Sequence, residues 1–172
     1  MKDMLVQVEP LIPALRRYAR ALVRDRTAAD DLVQDCLERA VSHWHRRRDG
    51  SVRAWLFTIL HNLAVSQFRQ AATRGRHMPI DDAGERELVS AAAQEQRLVY
   101  QDVLNKLARL PEEQRAVLLL VAVEDFSYAD AAKMLNVPVG TVMSRLSRAR
   151  ERLQQEMEGV EPGNVVALRS MK

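Results

Sequence analysis

Thr141, Ser144, Arg145, Arg148 and Arg152 fall at spacings that place them together on one side of a helix. These are side chains that contact nucleic acid. A guanidinium can grip a guanine edge through two parallel donors, and hydroxyls and further arginines can take phosphates. Val142, Leu146, Ala149 and Leu153 form the opposite, apolar side. Upstream, Ser127 with Asp130 three residues on reads as the capped start of a short helix, SYADAAKML. Ala131 and Ala132 are small enough for another helix to cross closely, and Asn136-Val137-Pro138-Val139 is a tight connection before Gly140-Thr141 opens the next helix. A scaffold helix, a turn and a helix with an exposed Ser/Thr/Arg face is the geometry that reads a major groove. It is also the pattern of an ordinary helical hairpin with a solvated basic face.

A second basic cluster lies upstream. Between His43 and Arg76 stand Arg46, Arg47, Arg48, Arg53, Arg69, Arg74 and Arg76, with Asp49 the sole acid. The next stretch inverts the sign, with Asp81, Asp82, Glu85 and Glu87 against Arg86. Two basic clusters separated by an acidic segment suggest two contacts with a polyanion, although the net charge is only +3. Other chemistry has little support. His43 and His45 sit among arginines that would repel a cation, and neither a cysteine pair nor a His-Glu-x-x-His pattern accompanies them. There is no phosphate loop, nucleophile elbow or dinucleotide fingerprint, so neither enzyme, metal nor cofactor is expected.

The elements that would position these residues are helices. Of 172 residues, 47% are hydrophobic and only 5% aromatic, with six glycines and six prolines. That composition predicts an all-α chain with enough apolar residues for a packed interior. Leu11, Leu15, Tyr18 and Leu22 open a first helix behind Pro10 and Pro13. Asp25-Arg26-Thr27 is a break, with Thr27 and Asp30 as a variant capping box. A second helix turns Ala29, Leu32, Val33, Cys36, Leu37, Ala40 and Val41 inward and shows Asp31, Gln34, Asp35 and Glu38 outward. A third runs from about Ser51 to Ala71, with Val52, Trp55, Leu56, Ile59 and Leu63 as its buried stripe. Leu98, Val99, Val103, Leu104 and Leu107 mark a helix beginning near Glu95, and Pro111-Glu112-Glu113 starts the next. The expected organisation is an N-terminal helical domain over 1–72, a flexible linker over 73–94, a C-terminal helix-turn-helix domain over 95–157 and a frayed tail over 158–172. One cysteine, no signal-peptide core and no membrane-length apolar run fit a cytoplasmic protein.

Four blocks in order, DDLVQDCLERA (30–40), RAWLFTILHNLAVSQFR (53–69), LPEEQRAVLLL (110–120) and SYADAAKMLNVPVGTVMSRLSRARERL (127–153), resemble a bacterial extracytoplasmic-function (ECF) sigma factor of the sigma-70 superfamily. The resemblance covers nearly the whole chain apart from the linker and tail. It implies an alternative sigma factor that binds core RNA polymerase, directs it to specific promoters and assists DNA opening. The implied polymerase-docking face is Asp31, Gln34, Asp35 and Glu38 with Leu32 as its apolar centre. A carboxylate-rich helix suits a basic coiled-coil partner. The implied minus-ten set is Asn62, Ser66, Arg69, Arg47, Arg48 and Arg53. Asn62 would read a base edge, because its amide donates and accepts together, and the 45–51 loop would line a pocket for a flipped base. The implied minus-thirty-five set is Thr141, Met143, Ser144, Arg145, Arg148 and Arg152. Trp55 is expected in the core and His61 at the helix surface. Acids in the linker would mimic nucleic acid inside the polymerase, and an anti-sigma factor would be a further partner.

The chain departs from many relatives at Ser66, where they carry Asp, and at Met143, where they carry Lys or Arg. Met143 favours apolar contact, such as a thymine methyl, over guanine reading. The competing reading is a helix-turn-helix regulator not tied to polymerase. Residues 30–69 distinguish the two, because such a regulator needs no acidic docking helix followed by a basic, base-capturing one.

Overall fold

The structure, a computed structural model, describes residues 2–47, 50–75 and 91–158. It is all-helical over these residues. The helices are α1 (Lys2–Val8), α2 (Ile12–Val23), α3 (Arg26–His43), α4 (Val52–Thr73), α5 (Ala91–Ala108), α6 (Glu112–Leu118), α7 (Tyr128–Leu135) and α8 (Val139–Glu158). Short 3-10 turns link α1 to α2 and extend α3, and a π-helical turn, Leu119–Val123, follows α6. Arg48, Arg76, the acidic segment and the tail lie outside the described residues.

The N-terminal half is a bundle in which α2 packs against α3 and α4, and α3 against α4. Leu15, Tyr18, Leu22, Leu32, Leu56, Phe57 and Leu60 are fully buried in it. Burying each such side chain contributes about 1.5–3 kcal/mol relative to exposure. In the C-terminal half α6 and α7 pack on α8, around Val117, Leu120, Val142, Leu146 and Ala149. The two halves are not separate bodies joined only by covalent chain. Helix α4 packs on α7, α2 touches α5 and α6, and buried residues of both halves form one continuous core.

Several local expectations shift. The cap of α3 is Asp25, whose carboxylate accepts from the Ala28 N–H at 2.6 Å, rather than Thr27. Helix α4 buries Leu56, Phe57, Leu60, Leu63 and Ala64, while Val52, Trp55 and Ile59 are only partly covered. Helix α5 starts at Ala91, ahead of Glu95, and Leu98, Val99 and Val103 stand exposed instead of packing inward. Only its last turns, through Leu104 and Leu107, reach the core. At Pro111 the proline is the N-cap itself, with Glu112 first in the helix. Val41 is 54% exposed, outside the α3 core.

Candidate nucleic-acid and polymerase interface

Three surfaces carry the residues singled out by the sequence. On α3, Asp31, Gln34, Asp35 and Glu38 are all exposed on the side opposite Ala29, Leu32, Val33 and Cys36. Gln34 donates to Glu38 at 3.2 Å, one turn on. Leu32 has no exposed surface, so it lies beneath this acidic face and cannot be the apolar centre of a contact made on it. The same periodicity that brings the carboxylates outward forces Leu32 inward.

The second surface is the polar side of α4. Ser51 caps the helix by accepting from the Ala54 N–H at 3.2 Å. Asn62, Ser66 and Arg69 are exposed along it. His61 does not sit free at the surface. Its Nδ1 lies 3.1 Å from the hydroxyl of Tyr18, a residue only 1% exposed. Burial lowers the pKa of His61 to about 4, and burial raises that of Tyr18 above the ordinary phenol value. The ring is therefore neutral, and it shares one hydrogen bond with the Tyr18 hydroxyl through Nδ1. In the loop before α4, Arg47 lies over the ring of Trp44 at 5.1 Å and donates to the Gly50 carbonyl at 2.9 Å. Gly50 has φ 144°, a conformation that glycine alone adopts readily. Trp55 meets Trp44 edge-on at 6.1 Å, consistent with a packing role.

The third surface is α8. The turn before it is built by Asn136, whose left-handed conformation (φ 53°, ψ 49°) ends α7, and by Pro138, whose carbonyl accepts from Thr141 and Val142. Asparagine is among the few non-glycine residues that tolerate that conformation. Ser127 caps α7 by accepting from the Asp130 N–H at 3.0 Å, as its sequence implied. With Val142, Leu146 and Ala149 buried, Met143, Ser144, Arg148 and Arg152 stand exposed and Thr141 half-buried. Arg145 is drawn aside to Glu113 of α6 at 2.9 Å.

The expectations for Arg53 also change. It faces away from Asn62 and Arg69, toward the chain after α6. The π turn and a left-handed Asp125 (φ 56°) send Glu124 and Phe126 back toward the N-terminal bundle. Glu124 is 1% exposed. Arg17 of α2 donates to it from Nε (2.9 Å, to Oε1) and from Nη2 (2.8 Å, to Oε2). Arg53 donates to the same Oε2 at 3.2 Å and to the Glu124 carbonyl at 2.5 Å, and lies 4.2 Å over the ring of Phe126. Phe126 in turn meets Phe57 edge-on at 5.1 Å. The hydrogen bonds to Glu124 raise the pKa of Arg17, so its guanidinium stays charged. Nothing in the local sequence marks Glu124 or Arg17, because an acid at the end of an apolar run and an arginine on a helix both read as surface.

A groove runs between the halves. Its walls include His61, Asn62 and Arg69 from α4, Glu113 from α6, Asn136 from the turn and Arg145 from α8. Among the described residues no cluster of His, Cys, Asp or Glu could hold a metal ion, and no helix is long and apolar enough to cross a membrane.

Comparison with known proteins decides the family. Residues 8–61 match the model of the Sigma2 domain of PhyR, and residues 100–153 match that of Sigma-70, region 4. The chain is 39% identical over 146 residues to ECF RNA polymerase sigma factor EcfG of Rhodopseudomonas palustris, covering 83% of this chain and 78% of that protein. It is an ECF RNA polymerase sigma factor. A second relative, ECF sigma factor SigM of Mycobacterium tuberculosis, is 37% identical over 81% of this chain and 69% of its own length. Among solved structures, sigma factor RpoE of Bartonella quintana, crystallised with the anti-sigma factor NepR, superposes with a TM-score of 0.76 at 33% identity, over 94% of this chain and 99% of that one. As an ECF sigma factor the chain is a transcription initiation factor, which binds core polymerase and directs it to promoters.

Proposed function

We propose that the three surfaces divide the work of initiation. The carboxylates Asp31, Asp35 and Glu38, with Gln34, dock on a basic surface of core polymerase. Asn62, Ser66 and Arg69 on α4, with Arg47 and Arg48 earlier in the sequence, hold the minus-ten element once its bases unstack, and Arg53 joins them when released from Glu124. Thr141, Met143, Ser144, Arg145, Arg148 and Arg152 of α8 contact the minus-thirty-five element. The proposed functional units are 1–72 and 95–157, and the protein acts in the cytoplasm. A protein that binds RpoE, the anti-sigma factor NepR, suggests that an anti-sigma factor is also a partner here.

One observation carries this reading. The cationic and hydroxyl side chains of α8 project from a helix whose other face packs on α6 and α7 through the buried Val142, Leu146 and Ala149, as a reading helix must. The carboxylate face of α3 lies on a different element, so both contacts can be made at once. Unstacking bases costs a few kcal/mol per step, which capture beside a cationic surface offsets. The test is transcription in vitro from a promoter library by core polymerase with and without the chain. Start sites that depend on the chain, and co-purification with core polymerase, are expected. Neither appearing would overturn the reading.

A further inference from the structure

We propose that the apolar strip on the outer turns of α5 is the docking site of this chain's own C-terminal segment, with Val165, Val166 and Leu168 laid over Val99, Tyr100 and Val103. The surfaces assigned above on α3, α4 and α8 play no part in it, so it stands or falls separately from that reading.

Helix α5 carries one apolar stripe whose two ends are treated differently. Side chains four residues apart share a helix face, and Val99, Val103 and Leu107 follow that spacing with Tyr100 and Leu104 beside them. Leu107 is buried and Leu104 partly so, while Val103, Tyr100 and Val99 are 45%, 47% and 61% exposed. The core therefore ends partway along the helix and the apolar face continues into solvent. It ends where α8 ends. Glu156, in the last turn of α8, pairs with Arg109 just past the end of α5. Met157 beside it, one turn beyond the partly buried Leu153, is exposed and carries apolar surface out to the point where the following chain departs. Residues 159–172 lie outside the described residues, and their sequence suits the uncovered strip. Gly159, Pro162 and Gly163 oppose continuation of α8 and let the chain turn back. Val165, Val166 and Leu168 then supply apolar side chains, and Arg169 and Lys172 supply positive charge. From Arg109 toward the start of α5 the helix presents the matching order, with Val103, Tyr100 and Val99 first and the carboxylate of Glu95 one turn further on. Asp102 is already paired with Lys106 at 2.8 Å, so Glu95 is the carboxylate that Arg169 meets. The reach is sufficient. The helix rises about 20 Å between Arg109 and Glu95 at about 1.5 Å per residue, and residues 159–172 extend to about 45 Å. Both partners belong to one chain, so a contact too small to hold two separate molecules together is still occupied.

The test follows amide hydrogen exchange of the full chain by mass spectrometry, with far-ultraviolet dichroism for helicity and light scattering for mass. Two double variants are compared with the parent: Val166→Asp with Leu168→Asp in the tail, and Val99→Asp with Val103→Asp on α5. Each variant is read at the other partner, whose sequence it leaves unaltered. The tail variant should exchange roughly threefold or more faster than the parent over 94–103, and the α5 variant similarly over 165–172, both as monomers of parent helicity. Exchange over α6 should stay at the parent rate. If the α5 variant loses helicity, the tail variant carries the test. Unchanged exchange at both partners overturns the proposal. A parent that is dimeric, and that either variant turns into a monomer, also overturns it, because a second copy then covers the strip.

Discussion

The hydroxyl of Tyr18 sits 3.1 Å from Nδ1 of His61, tying the centre of the N-terminal bundle to the wall of the inter-domain groove. The contact engages Nδ1 of the imidazole and so holds the ring in place next to Asn62.

Burial of His61 makes stability depend on pH in a definite direction. His61 titrates near 4 in the folded chain against an ordinary 6.5. Between those values the unfolded chain binds more protons than the folded one, so stability rises with pH across the window and falls as pH drops from 6.5 toward 4. The contribution is about 2 kcal/mol, reduced from the full shift because the ring is not completely enclosed. Urea unfolding of parent and His61→Gln at pH 7 and pH 4.5 should show a steeper loss for the parent. Parallel losses would contradict the assignment.

Separate faces predict separable defects. Asp31→Ala with Asp35→Ala should weaken association with core polymerase and leave duplex binding unchanged. Arg148→Ala should do the reverse, costing about 1–3 kcal/mol if it reads a base. Pull-down with core polymerase and anisotropy on duplex check the two arms. Equal loss of the same activity in both proteins would contradict the division.

Leu32 supplies a control for the docking face. Because it is fully buried, Leu32→Ala should cost about 2–5 kcal/mol of stability through the cavity it leaves. Polymerase association, measured where the variant is still folded, should match the parent. A stable variant with impaired docking would show that Leu32 faces the partner after all.

Cys36 should be inert in the native protein. Burial pushes its thiol up to about 12, and its Sγ lies 3.4 Å from the Leu56 carbonyl. Reaction with a disulfide reagent should be slow in buffer and complete in denaturant. Fast labelling of the folded chain would show that α3 and α4 separate readily.

What the sequence made legible follows from how each element is stabilised. Helix α8 carries a clean apolar stripe beside a cationic face, so its inward residues could be read from spacing alone. Helix α4 is apolar around most of its circumference, so spacing does not fix which side is deepest, and Phe57 and Leu60 lie deeper than Val52 and Ile59 of the expected stripe. Helix α5 has the periodicity of a packed helix, yet among the described residues Leu98, Val99 and Val103 stand exposed. The Glu124 joint was invisible for another reason. It pairs residues separated by 107 and 71 positions, and no local pattern reports a partner at that distance.

Arg115 of α6, itself only 6% exposed, donates from Nη1 to the Leu22 carbonyl near the end of α2 at 2.7 Å, across 93 positions of sequence. A terminal carbonyl that would otherwise lack a partner is thus satisfied by the opposite half. During synthesis the last turn of α2 must wait for a side chain made much later. The first half of the nascent polypeptide emerges with an unfinished helix end, and that end is completed only when the second half folds against it.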